Sequence, residues 1–88
     1  MNVDENNRPC VYAIQNKVTN RIYIGQSISM HSRLKQHNEG QVKSTRGKGP
    51  WELIAIEFFP DQNKARRIER SLKRSKRMRM AWIERNAV

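Results

Sequence analysis

The sequence predicts an α+β fold, a three-stranded antiparallel sheet flanked by helices in the order β-β-α-β-α-α. Three observations predict it. Two short runs that alternate around Tyr12 and Tyr23 are separated by a turn-rich stretch, which is the pattern of a hairpin. A third run, Trp51 to Phe59, is dense in β-branched and aromatic residues, the composition that strands favour. The remaining segments place apolar residues three and four apart, as one face of a helix requires.

In chain order, Met1 to Arg8 is polar, with Asp4, Glu5 and three Asn, and is expected to be a flexible N-terminal segment ahead of a single domain over residues 9–88. Pro9 suits the start of an edge strand. Val11 to Gln15 is the first strand, Asn16 to Asn20 the turn, and Arg21 to Gly25 the second strand. Gly25 ends that strand where a backbone without Cβ can turn or admit a close neighbour. Ser29 is a candidate N-cap for a helix from Met30 to about Asn38, with Gly40 as its stop signal. Gln41 to Pro50 has no periodicity and reads as a mobile basic loop. Trp51 to Phe59 reads as a third strand, central and well buried. Pro60-Asp61 is a break and an N-cap. A helix follows from about Gln62 to Lys73, with Ala65, Ile68 and Leu72 as its stripe. A last helix from Ser75 to Arg85 buries Met78, Ala81 and Trp82, and the sequence leaves open whether these two helices are one with a kink. Trp51, Ile56, Ile68, Leu72 and Trp82 are the candidate core.

Composition bounds the function. The chain has 88 residues, with 18 Lys plus Arg against 8 Asp plus Glu, a net charge of +10. Such a surplus on a short chain points to an anionic partner, nucleic acid first. Hydrophobic residues make up only 36%, so the core is small and stability modest. The single cysteine, Cys10, excludes an internal disulfide and a zinc cluster built on cysteines. No apolar run approaches a membrane span, and Met1 to Pro9 lacks the apolar centre of a signal peptide. A reducing, cytoplasmic setting is the resulting expectation.

Three charged or titratable residues sit where helix geometry does not favour them. At about 100° per residue, Arg33 and His37 share a face with Met30 and Leu34. Either Arg33 snorkels from the stripe's edge and His37 is a satisfied half-buried histidine, or both serve a site. Glu69 falls about 40° from Ala65, on the shoulder of the apolar stripe. The cations Arg66, Arg67, Arg70, Lys73 and Arg74 are read onto the other side of that helix. A carboxylate leaning toward a core needs a cation such as Arg33, hydrogen-bond donors or a metal. Tyr12 and Tyr23 are good strand residues whose hydroxyls need partners.

Taken together, Cys10-Val11-Tyr12, then Tyr23-Ile24-Gly25, then Arg33, His37 and Glu69 on a helix after the third strand resemble the GIY-YIG nuclease family. The resemblance covers residues 10 to 73. It implies a DNA endonuclease in which Tyr12 and Tyr23 are the paired tyrosines, Arg33 binds the scissile phosphate, His37 assists proton transfer and Glu69 holds one magnesium ion. The alternative is an inactive or accessory nucleic-acid-binding module of the same fold. The residue types suit the chemistry: Arg33 offers a planar fork to an anionic phosphate, and a hard cation on Glu69 would favour a leaving alkoxide. Three departures stand out. Cys10 and Val11 replace Gly and Ile, Gln26 stands where the DNA-repair branch has lysine, and Asn86 alone could match a downstream Asn, a role not carried over. Lys43, Arg46 and Lys48 in the loop, with Arg66, Arg70, Lys73, Arg74 and Arg77 on the helices, are the candidate contacts to double-stranded or branched DNA. They hold phosphates without reading bases, so specificity would come from a protein partner or a homodimer.

Overall fold

The sheet is built around its first strand. In the computed structural model, which describes residues 8–88, β1 (Cys10–Asn16) lies between β2 (Ile22–Ser27) and β3 (Trp51–Phe58), with both pairings antiparallel. The segment expected to be flexible falls, apart from Arg8, outside the described residues. The guanidinium of Arg8 stacks 4.1 Å from the centroid of the Phe58 ring.

This order corrects the reading of Trp51–Phe59 as the central strand. Cys10 to Ile14 are all fully buried and uncharged, the continuous apolar run of a strand covered on both faces. The β3 run is interrupted by Glu52 and Glu57, and Phe58 is exposed, as an edge allows. Pro9 therefore precedes the central strand rather than an edge; its carbonyl accepts the Phe59 amide at 2.8 Å. The outer edge of β3 is covered by the chain's last residues. Asn86 O accepts from Ile56 N at 3.2 Å and Val88 N donates to Ile54 O at 3.1 Å, which satisfies groups an open edge would leave free.

Alternation along β1 divides the core in two. Cys10, Tyr12 and Ile14 pack with Trp51, Tyr23, Met30, Leu34, Leu53 and Ile56 on the side of α1 (Met30–Asn38). Val11 and Ala13 pack with Ile24, Ala55, Ala65, Leu72 and Trp82 on the side of α2 (Gln62–Arg74) and α3 (Lys76–Arg85). Ala13 pairs with Ala55 but Ile14 with Leu53, so Ile54 is the extra residue of a bulge.

The elements end where local chemistry ends them. Asn16 closes the hairpin: its Oδ1 accepts from the amides of Val18 at 2.8 Å and Thr19 at 3.0 Å. Asp61 caps α2 by accepting from Lys64 N at 2.8 Å. Ser75, with φ −130 and ψ 113, leaves the helical region and accepts from Met78 N at 3.2 Å, so α2 and α3 are two helices. Ser29 occupies the N-cap position of α1, but its hydroxyl meets that of Ser32 at 2.8 Å and makes no cap bond.

Of the three residues expected to anchor α3, only Trp82 is buried, and its indole N–H donates to Glu57 Oε1 at 2.8 Å. Met78, 52% exposed, and Ala81 instead line an open groove of about 740 Å³ between α2 and α3. The break at Ser75 separates the two helices, and Met78 and Ala81 face the groove together with Ile68. Truncating Leu72 to Ala removes a side chain only 3% exposed and is expected to cost about 2–5 kcal/mol in chemical denaturation. Met78→Ala should stay within about 0.5 kcal/mol of the parent. Equal losses for the two would mean that the groove is closed in solution.

Candidate active site

β1 and β2 bring the two tyrosines together. Tyr12 pairs with Gly25 and Ile14 with Tyr23, so both tyrosines point to the same sheet face on a diagonal. Their ring centroids are 6.5 Å apart. A side chain at position 25 would collide with the Tyr12 ring and hydroxyl; glycine is needed there so that the ring can lie across β2.

α1 lays His37 against this pair. His37 is 2% exposed, with Nε2 at 2.6 Å from the Tyr12 hydroxyl and Nδ1 at 2.7 Å from Thr45 Oγ1. Its ring stands edge-on to Tyr12 and Tyr23 at 5.6 and 5.2 Å. Burial pushes His37 down to about 4, and the nearby Arg33 guanidinium adds to this. Burial pushes the Tyr12 phenol up to about 12, with Arg33 partly opposing. At neutral pH a neutral phenol therefore faces a neutral imidazole. Arg33 is half-buried, donates from Nη1 to Gln36 Oε1 at 3.2 Å, and has a buried Nε without an acceptor among the described residues.

The stretch Gln41 to Pro50 is not the mobile loop its composition suggests. Lys43–Thr45 form a 3₁₀ turn, with Val42 and Thr45 buried. Asn16 Nδ2 donates to Lys48 O at 2.6 Å and holds the far end. Two site residues come from this turn that the sequence did not single out. Thr45 meets His37, and Ser44 Oγ donates to Tyr23 Oη at 3.3 Å. The signal was the burial of Val42 and Thr45, three apart, which the surrounding Gly, Ser and basic residues masked. Lys43, Arg46 and Lys48 are exposed, and Arg46 Nε donates to Gly40 O at 2.8 Å.

Glu69 is not paired with Arg33. Its Oε2 lies 3.2 Å from Lys73 Nζ, and its side chain is 20% exposed. Lys73 does not lie on the opposite side of α2 from Glu69: four residues advance a helix by only about 40° beyond a full turn, which puts the two side by side. The same ammonium sits 5.5 Å from the Tyr23 ring centroid. Glu69 and Tyr23 thus share one cation at the β2 edge. Arg66, Arg70, Arg74 and Arg77 are exposed on the helices, with Arg77 lining the α2–α3 groove. A shallower hollow of about 380 Å³ beside Tyr23 is lined by Lys73, Lys76 and Arg79.

A model of the GIY-YIG catalytic domain matches residues 8–81. The chain belongs to the GIY-YIG family. It is similar to the human protein named structure-specific endonuclease subunit SLX1, 33% identical over 64 residues that span 67% of this chain and 23% of that protein. It is also similar to UPF0213 protein CPE1444 of Clostridium perfringens, 37% identical over 54 residues, 60% of this chain and 58% of that one. Among solved structures, the solution NMR structure of UPF0213 protein BH0048 from Bacillus halodurans superposes with a TM-score of 0.56 at 32% identity, covering 88% of this chain and 83% of that one. The chain spans less than a quarter of the length of the SLX1 proteins it matches.

The departures from the GIY-YIG pattern have structural readings. Cys10 is fully buried in extended β1, where a small side chain fits; burial pushes its thiol up to about 11, so it is poorly reactive. Gln26, where another branch has lysine, has a buried Oε1 without a donor among the described residues, and the cation near Tyr23 comes from Lys73 instead. Asn86 bonds to β3 and to Trp82, on the sheet edge opposite Tyr23.

Because His37 in the fold takes a proton only near pH 4, while an unfolded histidine takes one near 6.5, the unfolded chain binds more protons between those values. Its contribution to stability is present above pH 6.5 and is lost as pH falls toward 4, an effect of about 3 kcal/mol. The measurement is the difference in denaturation free energy between the parent and His37→Gln from pH 7.5 to 4.5. The gap should narrow as pH falls; a constant gap would show that His37 is not held neutral.

Proposed function

We propose that this domain is an endonuclease that hydrolyses phosphodiester bonds in DNA with the help of one magnesium ion. The observation that carries the reading is the buried 2.6 Å contact between Tyr12 and His37, with Tyr23 and Arg33 gathered around it. Burial of a phenol and an imidazole in mutual contact gives a proton a path away from a reacting water.

Phosphodiester hydrolysis needs its anionic centre held and its attacking water deprotonated. Arg33 has one guanidinium donor anchored on Gln36, and the rest of its fork suits a phosphate oxygen. A free phenolate is out of reach with the phenol at about 12. Tyr12 instead takes the water's proton as it passes its own to His37 Nε2. The bound phosphate's negative charge favours protonated His37 and so eases that transfer. Tyr23, with Ser44 on its hydroxyl and Lys73 near its ring, lines the same space.

Glu69 is the residue that would hold the metal. No cluster of three or more His, Cys, Asp or Glu able to bind a metal occurs among the described residues, and one carboxylate with waters is a donor set that magnesium accepts. That Glu69 already carries an ammonium fits a carboxylate placed to attract a cation. When bound, the ion would supply positive charge for the leaving oxygen. Lys43, Arg46, Lys48, Arg66, Arg70, Lys73, Arg74 and Arg77 hold the DNA backbone, which carries no base code. Selectivity then follows DNA shape, or a protein partner or second copy. The relatives named structure-specific endonuclease subunits make branched DNA the first substrate to try.

The test is Glu69→Gln beside the parent on branched and linear duplexes. Magnesium-dependent cleavage should fall at least roughly a hundredfold, the scale of one lost electrostatic stabiliser. DNA affinity, steeply salt-dependent in the parent, should be unchanged or higher, and folding should survive. A fully active variant, or one that no longer folds, would falsify the metal role.

A further inference from the structure

We propose that Thr45 is a positioning residue that fixes the tautomer of His37, leaving Nε2 as the unprotonated nitrogen that faces Tyr12. Its catalytic consequence rests on the endonuclease reading; the tautomer itself does not.

A neutral imidazole has one donor and one acceptor nitrogen, and its partners decide which is which. Both nitrogens of His37 are engaged, Nε2 with the Tyr12 hydroxyl at 2.6 Å and Nδ1 with Thr45 Oγ1 at 2.7 Å. In one arrangement Tyr12 O–H donates to Nε2, Nδ1–H donates to Thr45, and the Thr45 hydroxyl donates onward to Val42 O at 3.4 Å. In the other, Thr45 donates to Nδ1 and Nε2–H donates to Tyr12. The second arrangement turns the Tyr12 proton away from the imidazole. Tyr12 is fully buried, and His37 is the one acceptor its hydroxyl meets among the described residues. Arg33, its charged neighbour, has no lone pair with which to take that proton. The phenol would be left with a buried, unsatisfied donor, at the full desolvation cost of that group. The first arrangement satisfies all three protons, so it is the one the site holds.

Thr45 is suited to this part. It is 1% exposed and sits in the 3₁₀ turn, where Thr45 N donates to Val42 O at 3.1 Å and Lys48 N to Thr45 O at 3.1 Å. The turn is pinned to β1 through Asn16 and Lys48. Its hydroxyl cannot swing away without leaving Nδ1–H unpaired. The segment that looks like a basic loop therefore aims the imidazole's lone pair at the tyrosine.

The test reads the tautomer directly. Long-range nitrogen–proton correlation spectra of ¹⁵N-labelled parent protein, at neutral pH without DNA or metal, should show His37 protonated at Nδ1 alone. Protonation at Nε2, or a mixture, overturns the proposal. Thr45→Ser keeps the hydroxyl and should keep both the tautomer and the cleavage rate. Thr45→Val should lose the single tautomer and slow single-turnover cleavage roughly ten- to a hundredfold, with DNA affinity unchanged. A Thr45→Val protein with the parent's rate and tautomer overturns it too; if that variant does not fold, the parent spectrum and Thr45→Ser decide. A parent with the Nδ1–H tautomer that cleaves no DNA would sink the endonuclease reading and leave this one standing. An active parent with the opposite tautomer would do the reverse.

Discussion

A phenol hydroxyl buried in the middle of a sheet must have an acceptor, and most of this small structure is arranged around giving Tyr12 one. The hydroxyl of Tyr12 comes from the strand with no solvent on either side. Gly25 keeps the neighbouring strand out of its way. α1 runs across that face at the height that brings His37 onto it, and the 3₁₀ turn after α1 holds the histidine's far nitrogen. Buried polar groups of this kind are costly when any one is left alone. The contact therefore ties β1, α1 and the 3₁₀ turn together, since shifting any of them unpairs a buried group.

The two sheet faces divide the labour. The face under α2 and α3 is apolar packing, and its small residues Ala13, Ala55 and Ala65 are all fully buried. They let α2 approach the strands closely enough to reach past the β2 edge. That approach is what brings the Glu69–Lys73 pair beside Tyr23, although Tyr23 belongs to the other face. The Glu69–Lys73 pair thus reaches the polar cluster around the β2 edge.

The class of fold, the element order and the hairpin were legible because they rest on local patterns: alternation around Tyr12 and Tyr23, the cap at Asp61, and the Ala65–Ile68–Leu72 stripe. The strand order was not, because aromatic richness in Trp51–Phe58 looked more core-like than the shorter Cys10–Ile14 run. What marks the central strand is burial on both faces: Cys10 to Ile14 are all fully buried, whereas β2, also uncharged, is only partly buried and β3 carries Glu52 and Glu57. The residues gathered at the site were legible through family resemblance and through their odd placement on helices. Thr45 and Ser44 were not, since a hydroxyl in a Gly- and Lys-rich stretch reads as a turn former, and its partners lie eight and twenty-one residues away. Helix spacing was enough to pair Glu69 with Lys73, yet the charge count drew attention to Arg33.

The central claim is that the buried Tyr12–His37 contact carries the proton away from the attacking water. Tyr12→Phe tests it most directly, since it removes one oxygen and leaves the ring over Gly25. The measurement is single-turnover cleavage of a branched duplex with magnesium, alongside affinity for the same duplex. Cleavage should fall by at least roughly a hundredfold, the range of a lost proton relay, while affinity stays at the parent's value. Cleavage by Tyr12→Phe at the parent's rate would contradict the account.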